Sequence, residues 1–272
     1  MISKYASHPL FWFFIGIFFI FISYLTVAQF NTAAEKLENA SRYYLKGEEA
    51  STIAARQDAF NASLAIYQNL NTEYAPTSGN GKLYYNMANS YFQLQHYPLA
   101  LLYYSRAKTL MPRDNKVEVN LNITKEKLGL PKNKEKDFLL NKLFFFQNRF
   151  SIPEQLEILF ASTIITFLLG SLFIWIKAPL LKPFIAAFVI VIAFTLANLF
   201  YAQFILPSYT IALKSSFLYM DAGFQYAKVQ NDPLPPGTKI TVLKVIHAGR
   251  WIKVETEEGI IGYIPGDSVE II

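Results

Sequence analysis

Two apolar runs, Ile158 to Ile176 and Pro183 to Ile205, stand back to back with only Lys177-Ala178-Pro179-Leu180-Leu181-Lys182 between them. At about 1.5 Å of rise per helical residue, each is long enough to cross the roughly 30 Å hydrocarbon core of a bilayer. So short a connection permits only a tight helical hairpin, which returns the chain to the side it left. The regions before and after the hairpin must then share a compartment. The expected spans are residues 156–176 and 183–205, with a loop at 177–182. Between Ile158 and Ile176 and between Pro183 and Phe200 the polar residues are Ser162, Thr163, Thr166, Ser171, Thr195 and Asn198, none of them ionisable. Transporters and proton paths carry charged groups inside the membrane, so the hairpin reads as an anchor, with Asn198 its one candidate for an interhelical hydrogen bond. Ser151-Ile152-Pro153-Glu154 has the form of a capping box and starts the first span.

The amino-terminal residues read as an export signal. Lys4 lies in a short polar head, an apolar run follows from Leu10 to Val27, and Thr26-Val27-Ala28 precedes Gln29 with the small residues that signal peptidase accepts. Residues 1–28 are then a signal peptide, or a signal anchor that stays in place. Either outcome exports the following segment and leaves Lys177 and Lys182 on the cytoplasmic side, in agreement with the positive-inside rule. The basic stretch before the hairpin pulls the other way. From Lys125 to Arg149 seven basic residues face only Glu126, Glu135 and Asp137. Residues 131–155 form a basic, aromatic linker in which Phe144, Phe145 and Phe146 border the first span, so lipid headgroups are a nearer anion than nucleic acid. No nucleic-acid partner is expected. Cysteine is absent, which excludes disulfides, cysteine nucleophiles and thiolate metal sites.

From Gly81 to Pro112 the spacing Tyr84, Met87-Ala88, Tyr91, Ala100, Tyr104, Ala107 and Pro112 resembles a tetratricopeptide repeat. Small Ala88, Ala100 and Ala107 let two antiparallel helices approach closely, Tyr91 and Tyr104 fill the space between repeats, and Pro112 ends the second helix. A single repeat cannot bury its apolar face alone. Phe60, Leu64, Tyr67 and Leu70 look like the second helix of a preceding unit, with Ala50, Ile53 and Ala54 in its first, and Val117, Leu121, Ile123 and Leu128 look like a closing helix. The expected array covers 33–130, its units joined by the loop Ala75 to Gly81. The resemblance implies a groove for a peptide or protein partner, with Tyr85, Asn86, Asn89 and Asn120 as candidate contacts.

After a linker at 206–215, short alternating segments with turn residues replace the helical pattern. Thr238 to Leu243, Trp251 to Glu255 and Ile261 to Ile264 read as strands, with turns at Pro235-Pro236-Gly237, Ala248-Gly249 and Glu257-Glu258-Gly259, and Phe217 to Lys228 as the place of the opening strands. Pro236-Gly237, Arg250-Trp251-Ile252-Lys253-Val254 and Gly259 to Pro265 resemble a bacterial SH3-like domain over 216–272. That resemblance implies an extracytoplasmic module binding cell-wall peptides or proteins, with Trp251 and Tyr263 as candidate contacts. Barrel packing is the competing role for Trp251.

The expected fold class is a multidomain membrane protein: an α-helical tetratricopeptide array, a two-helix transmembrane hairpin and a carboxy-terminal all-β SH3-like barrel. His8, His96 and His247 fall in three different modules, and no phosphate loop, nucleophile elbow or metal-ligand cluster is present in the sequence. No enzyme activity, cofactor or metal is expected. This domain order resembles the BatE proteins of the Bacteroides aerotolerance operons. The resemblance implies a scaffold in the bacterial inner membrane, both soluble domains in the periplasm. Its implied partners are Bat-type membrane proteins and a MoxR-type ATPase, with peptidoglycan as an alternative ligand of the SH3-like domain. Reporter fusions at Asn80 and Ile272 are expected to report the periplasm and one at Pro179 the cytoplasm; different sides for Asn80 and Ile272 would break the hairpin reading.

Overall fold

The computed structural model describes residues 17, 32–74, 80–131, 146 and 149–272. The expected export segment, apart from Ile17, most of the basic linker and residues 75–79 of the inter-repeat loop lie outside the described residues. The chain divides into two compact units, Met1–Gly79 and Asn80–Ile272. The boundary between the units falls inside the region 33–130 of the expected array, at the end of the loop expected from Ala75 to Gly81.

In the first unit residues 32–49 form helix α1 and Ile53–Tyr74 form α2. The two run antiparallel: Lys36 pairs with Glu73 at one end, Gly47 faces the Phe60 ring at the other, and the Ser63 hydroxyl donates to the Ala40 carbonyl at 2.8 Å between them. Ala40, Phe60, Leu64, Tyr67 and Leu70 form the buried seam. The leading helix was expected around Ala50, Ile53 and Ala54. It lies earlier instead, because the Thr52 hydroxyl accepts from the Ala55 amide and starts α2 there, leaving Ile53 exposed.

The second unit opens with α3 (Gly81–Gln93), α4 (Tyr97–Leu110) and α5 (Asn115–Lys127). Asn80 caps α3 through the Leu83 amide and Asp114 caps α5 through the Lys116 amide. Met87, Ala88, Ala100 and Ala107 are fully buried, and Tyr91 and Tyr104 nearly so, as their spacing predicts. In α5 the inward positions are Val117 and Thr124; Ile123, expected inside, is exposed, one position off the buried stripe.

Helices α6 (Ile152–Ile176) and α7 (Lys182–Phe204) form the hairpin, joined by a 3₁₀ turn at Pro179–Leu181. Both are long and apolar enough to cross a membrane. Phe160, Phe167, Ile174 and Trp175 are largely exposed, whereas Gln155, Ser162, Thr195 and Asn198 are buried. Thr195 and Asn198 donate back to carbonyls of their own helix, at Val191 and Phe194. Lys177 closes α6 in a left-handed conformation.

Strands β1 (Ser208–Ala212), β2 (Lys239–Ile246), β3 (Trp251–Glu255), β4 (Ile261–Pro265) and β5 (Val269–Ile271) form an antiparallel sheet in the order β4-β3-β2-β1-β5. One face packs Ala212, Ile240, Ile252, Val254, Ile264 and Val269, completed by Leu218 and Leu234 from the long β1–β2 loop. The expected linker at 206–215 thus contains an interior strand of the sheet, β1. The expected opening strands at Phe217 to Lys228 are replaced by that loop, which touches the sheet through isolated bridges such as Tyr219 to Tyr263. Pairing of β1 is non-local, with β2 and β5, so no hairpin turn marks it in the sequence.

The other face of β1 meets α4. Leu101, Leu102 and Ile211 are buried together there, bordered by Leu121, Leu128, Leu130 and Leu213. Arg106 donates to the Ile271 carbonyl at 2.6 Å and pairs with Glu270 at 2.9 Å, tying α4 to the edge strand β5. At the turn before α5, Arg113 pairs with Glu154 and lies over the Phe150 ring. Glu154 also accepts from Ser151 in the capping box that starts α6. The segments before and after the hairpin therefore meet at its one end.

Gly237 sits where helix and sheet meet. Its φ is +86°, and a Cβ there would lie 2.6 Å from Leu128 Cδ1 and 2.9 Å from Leu130 Cδ1. Gly237→Ala is expected to cost at least about 2 kcal/mol, from left-handed backbone strain and overpacking together. Ala248 has the opposite problem, a Cβ at φ 56° in the β2–β3 turn, so Ala248→Gly is expected to stabilise by about 0.5–1 kcal/mol. Chemical denaturation of the full chain in detergent reads both.

Candidate functional site

Positions 85, 86 and 89 share one side of α3, and position 120 lies on α5 across from them. The Asn120 amide nitrogen reaches three acceptors: Tyr85 Oη at 3.0 Å, Asn89 Oδ1 at 3.2 Å and Tyr104 Oη at 3.3 Å. Tyr104 donates in turn to Asn89 Oδ1 at 2.5 Å, and its ring packs against that of Tyr85 at 5.8 Å. Two of the four helix candidates, Tyr85 and Asn89, thus converge through their polar tips on a third, Asn120. Tyr104, read from its spacing only as a core residue, is the buried floor of this cluster. Asn86 stands beside it on α3, half-buried, its carbonyl accepting from Ser90.

Chemically the cluster is neutral and presents amides and phenols. The Tyr85 hydroxyl accepts from Asn120 and so keeps its own hydrogen for an outside acceptor, and the Asn120 carboxamide oxygen is an acceptor beside it. Such a set matches the donors and acceptors of an extended peptide backbone. Because Asn120 is already held by three partners, little side-chain entropy remains to be lost on binding.

The two sheet candidates share the outward face, where Lys253 is paired in register with Tyr263 and Trp251 lies two residues before Lys253. They differ in role. Trp251 is 8% exposed and is the base of an aromatic trio with Tyr219 (5.6 Å, 89°) and Phe224 (5.0 Å, 62°). Tyr263 is half-buried beneath the Lys253 ammonium. The exposed member of the trio is Phe224, at 71%, with Met220 beside it in the same loop at 64%. Neither was a candidate from the sequence. The signal that marks them is an apolar pair set among turn residues, in Met220-Asp221-Ala222-Gly223-Phe224, where a turn needs no Phe.

Between the two surfaces lies the α4–sheet seam. The Arg106 guanidinium covers the Tyr103 ring at 5.3 Å. Burial, reinforced by Tyr91 and Glu270 and opposed by Arg106, pushes the Tyr103 phenol up to about 12. Burial likewise holds Lys125 and Lys239 below the usual lysine range, Lys239 standing 3.7 Å from the centre of the Tyr209 ring. Among the described residues no three His, Asp or Glu side chains stand close enough to hold a metal ion.

No family model matches the chain, and no curated protein is significantly similar to it.

Two outcomes follow from this geometry. Asn120→Ala leaves Tyr85 and Asn89 without their shared donor and is expected to cost about 1–2 kcal/mol in denaturation, whereas Asn86→Ala changes stability little. The Tyr103 phenol stays protonated in the fold above the value near 10 of an unfolded tyrosine. Its contribution to stability is full below pH 10 and is lost as pH rises toward 12. Tyr103→Phe is expected to flatten that part of the alkaline stability profile, measured by unfolding at stepped pH.

Proposed function

We propose that this protein is a membrane-anchored scaffold. Helices α6 and α7 fix it in the bilayer as two transmembrane spans. Helices α3 to α5, read as tetratricopeptide-like, capture an extended segment of a partner protein over Tyr85, Asn86, Asn89 and Asn120. The observation that carries this reading is the Asn120-centred cluster, a preformed set of neutral donors and acceptors on two neighbouring helices, held in the same compact unit as the hairpin. On the resemblance of the domain order to BatE proteins, the membrane is the bacterial inner membrane and the soluble modules face the periplasm. The partners are then Bat-type membrane proteins acting in envelope or oxidative-stress tolerance. The chain works by holding partners together, without catalysis of its own.

A second reading has its own observation. Phe224, exposed over Trp251 and Tyr219, offers an aromatic surface of the kind on which sugar rings or peptide side chains stack, and Met220 is exposed in the same loop. On that reading the sheet, taken as SH3-like, binds peptidoglycan.

A photo-crosslinking residue at Asn86 in the full chain, activated in intact membranes, tests the scaffold. Crosslinks to a Bat-type membrane protein are expected, falling at least about tenfold when Asn89 and Asn120 are both changed to alanine, a loss of about 1.4 kcal/mol or more. Equal crosslinking in the alanine variant, or none above background, counts against the groove. Retention of the full chain on purified cell wall, lost in Phe224→Ala, would favour the second reading.

A further inference from the structure

The sheet does not end where β1 begins. Ser208 is paired with Val242, and β2 then runs on past it through Leu243, Lys244, Val245 and Ile246, paired only with β3 on its other side. Ser208 is the first residue of β1 and follows the end of α7 at Phe204 by only Ile205, Leu206 and Pro207. At no more than about 3.6 Å per residue, the strand starts within roughly 14 Å of the helix end. Because β2 is antiparallel to β1, the free part of β2 runs back past Ser208, the residue at which the chain enters the sheet from α7. At about 3.3 Å per residue it covers roughly 13 Å, about the distance just set by the linker. The β2–β3 hairpin is therefore the part of the sheet that overhangs the entry of the chain from α7, whose end at Phe204, Ile205 and Leu206 is exposed.

The hairpin's composition suits that place. Leu243, at a bulge in the register, is 44% exposed and Val245 is 50% exposed. From Leu243 to Lys253 the chain carries Lys244, Arg250 and Lys253, and His247, but no acidic residue. Lys244 and Lys253 are directly opposite across the two strands. Like charges in that position repel and weaken a ladder unless an anion lies against them. Among the described residues, none of these three cations is ion-paired with a carboxylate. Exposed aliphatic side chains framed by cations are the composition of elements that rest in a membrane interface.

We propose that the β2–β3 hairpin lies on the bilayer surface, with Leu243 and Val245 at the acyl boundary and Lys244, Arg250 and Lys253 among anionic phospholipid headgroups. The inference rests on the reading of α6 and α7 as membrane spans. It gives the sheet a second hold on the membrane besides the covalent link at Pro207. It also fixes which end of the sheet faces away: the β3–β4 turn at Glu257-Glu258-Gly259, at the opposite end of β3.

The chain lacks cysteine, so single-cysteine variants can be labelled with an environment-sensitive fluorophore. Val245→Cys, Ile190→Cys within α7 and Glu258→Cys would each be placed in the full chain and reconstituted into phosphatidylcholine bilayers with and without phosphatidylglycerol, using lipids brominated on the acyl chain as quenchers. The expected result is strong quenching at Ile190, clear quenching at Val245 and none at Glu258. Changing both Lys244 and Lys253 to glutamine should lower quenching at Val245 about twofold or more in the anionic bilayers. Quenching at Val245 no greater than at Glu258, with Ile190 quenched, overturns the inference and leaves the spans standing. A blue-shifted but unquenched Val245 label overturns it too, by showing protein, such as a second copy of the chain, over the hairpin. An unquenched Ile190 overturns the spans themselves, and the inference with them.

Discussion

The burial of Ile211 between Leu101 and Leu102 is the contact on which the second unit depends. It joins a helix that precedes the apolar hairpin to a strand that follows it. Closing so long a stretch of chain carries an entropic cost, although one that grows slowly with length. The hairpin shortens the effective distance, because it delivers its two ends side by side. Once they meet, the apolar seam and the Arg106 interactions with Glu270 and the Ile271 carbonyl, 165 positions away in sequence, make one body of what the sequence divides into modules. Arg106 also occupies a carbonyl on β5, an edge strand whose unpaired groups would otherwise be open to pairing with another chain.

Legibility followed how local the cause of each element is. Helices α6 and α7 are set by length and apolarity alone, so their ends were read to within a few residues. Strands β2, β3 and β4 alternate and are joined by turns at Gly249 and Gly259, and they too were visible. Strand β1 was not. Thr210, Ile211 and Ala212 are buried on both faces, one by the sheet core and the other by α4, so the polar and apolar alternation that marks a half-exposed strand is missing. Helix α1 was misplaced because a cap at Thr52, one hydroxyl, decides whether Ile53 begins or interrupts a helix.

The candidate residues divide in the same manner. Tyr85, Asn89 and Asn120 could be drawn from one helical periodicity plus a family spacing, and the structure brings them together. Tyr104 was legible as core but not as a member of the cluster, because a phenol has both roles at once: its ring fills space while its oxygen is spent on Asn89. Trp251 and Tyr263 share a face, yet the exposed apolar surface above Trp251 comes from Phe224, which arrives through a loop with no periodicity to read.

Glu154 is the side chain with the most consequence for its size. One of its oxygens caps the first turn of α6 through Ser151, and the other is held by Arg113 at the corner between α4 and α5. The pair with Arg113 is solvent-exposed and of the kind that contributes no more than about 1 kcal/mol, so a small displacement of that corner reaches the cap of α6 through one shared carboxylate, while a large one parts the pair and leaves the capping box intact.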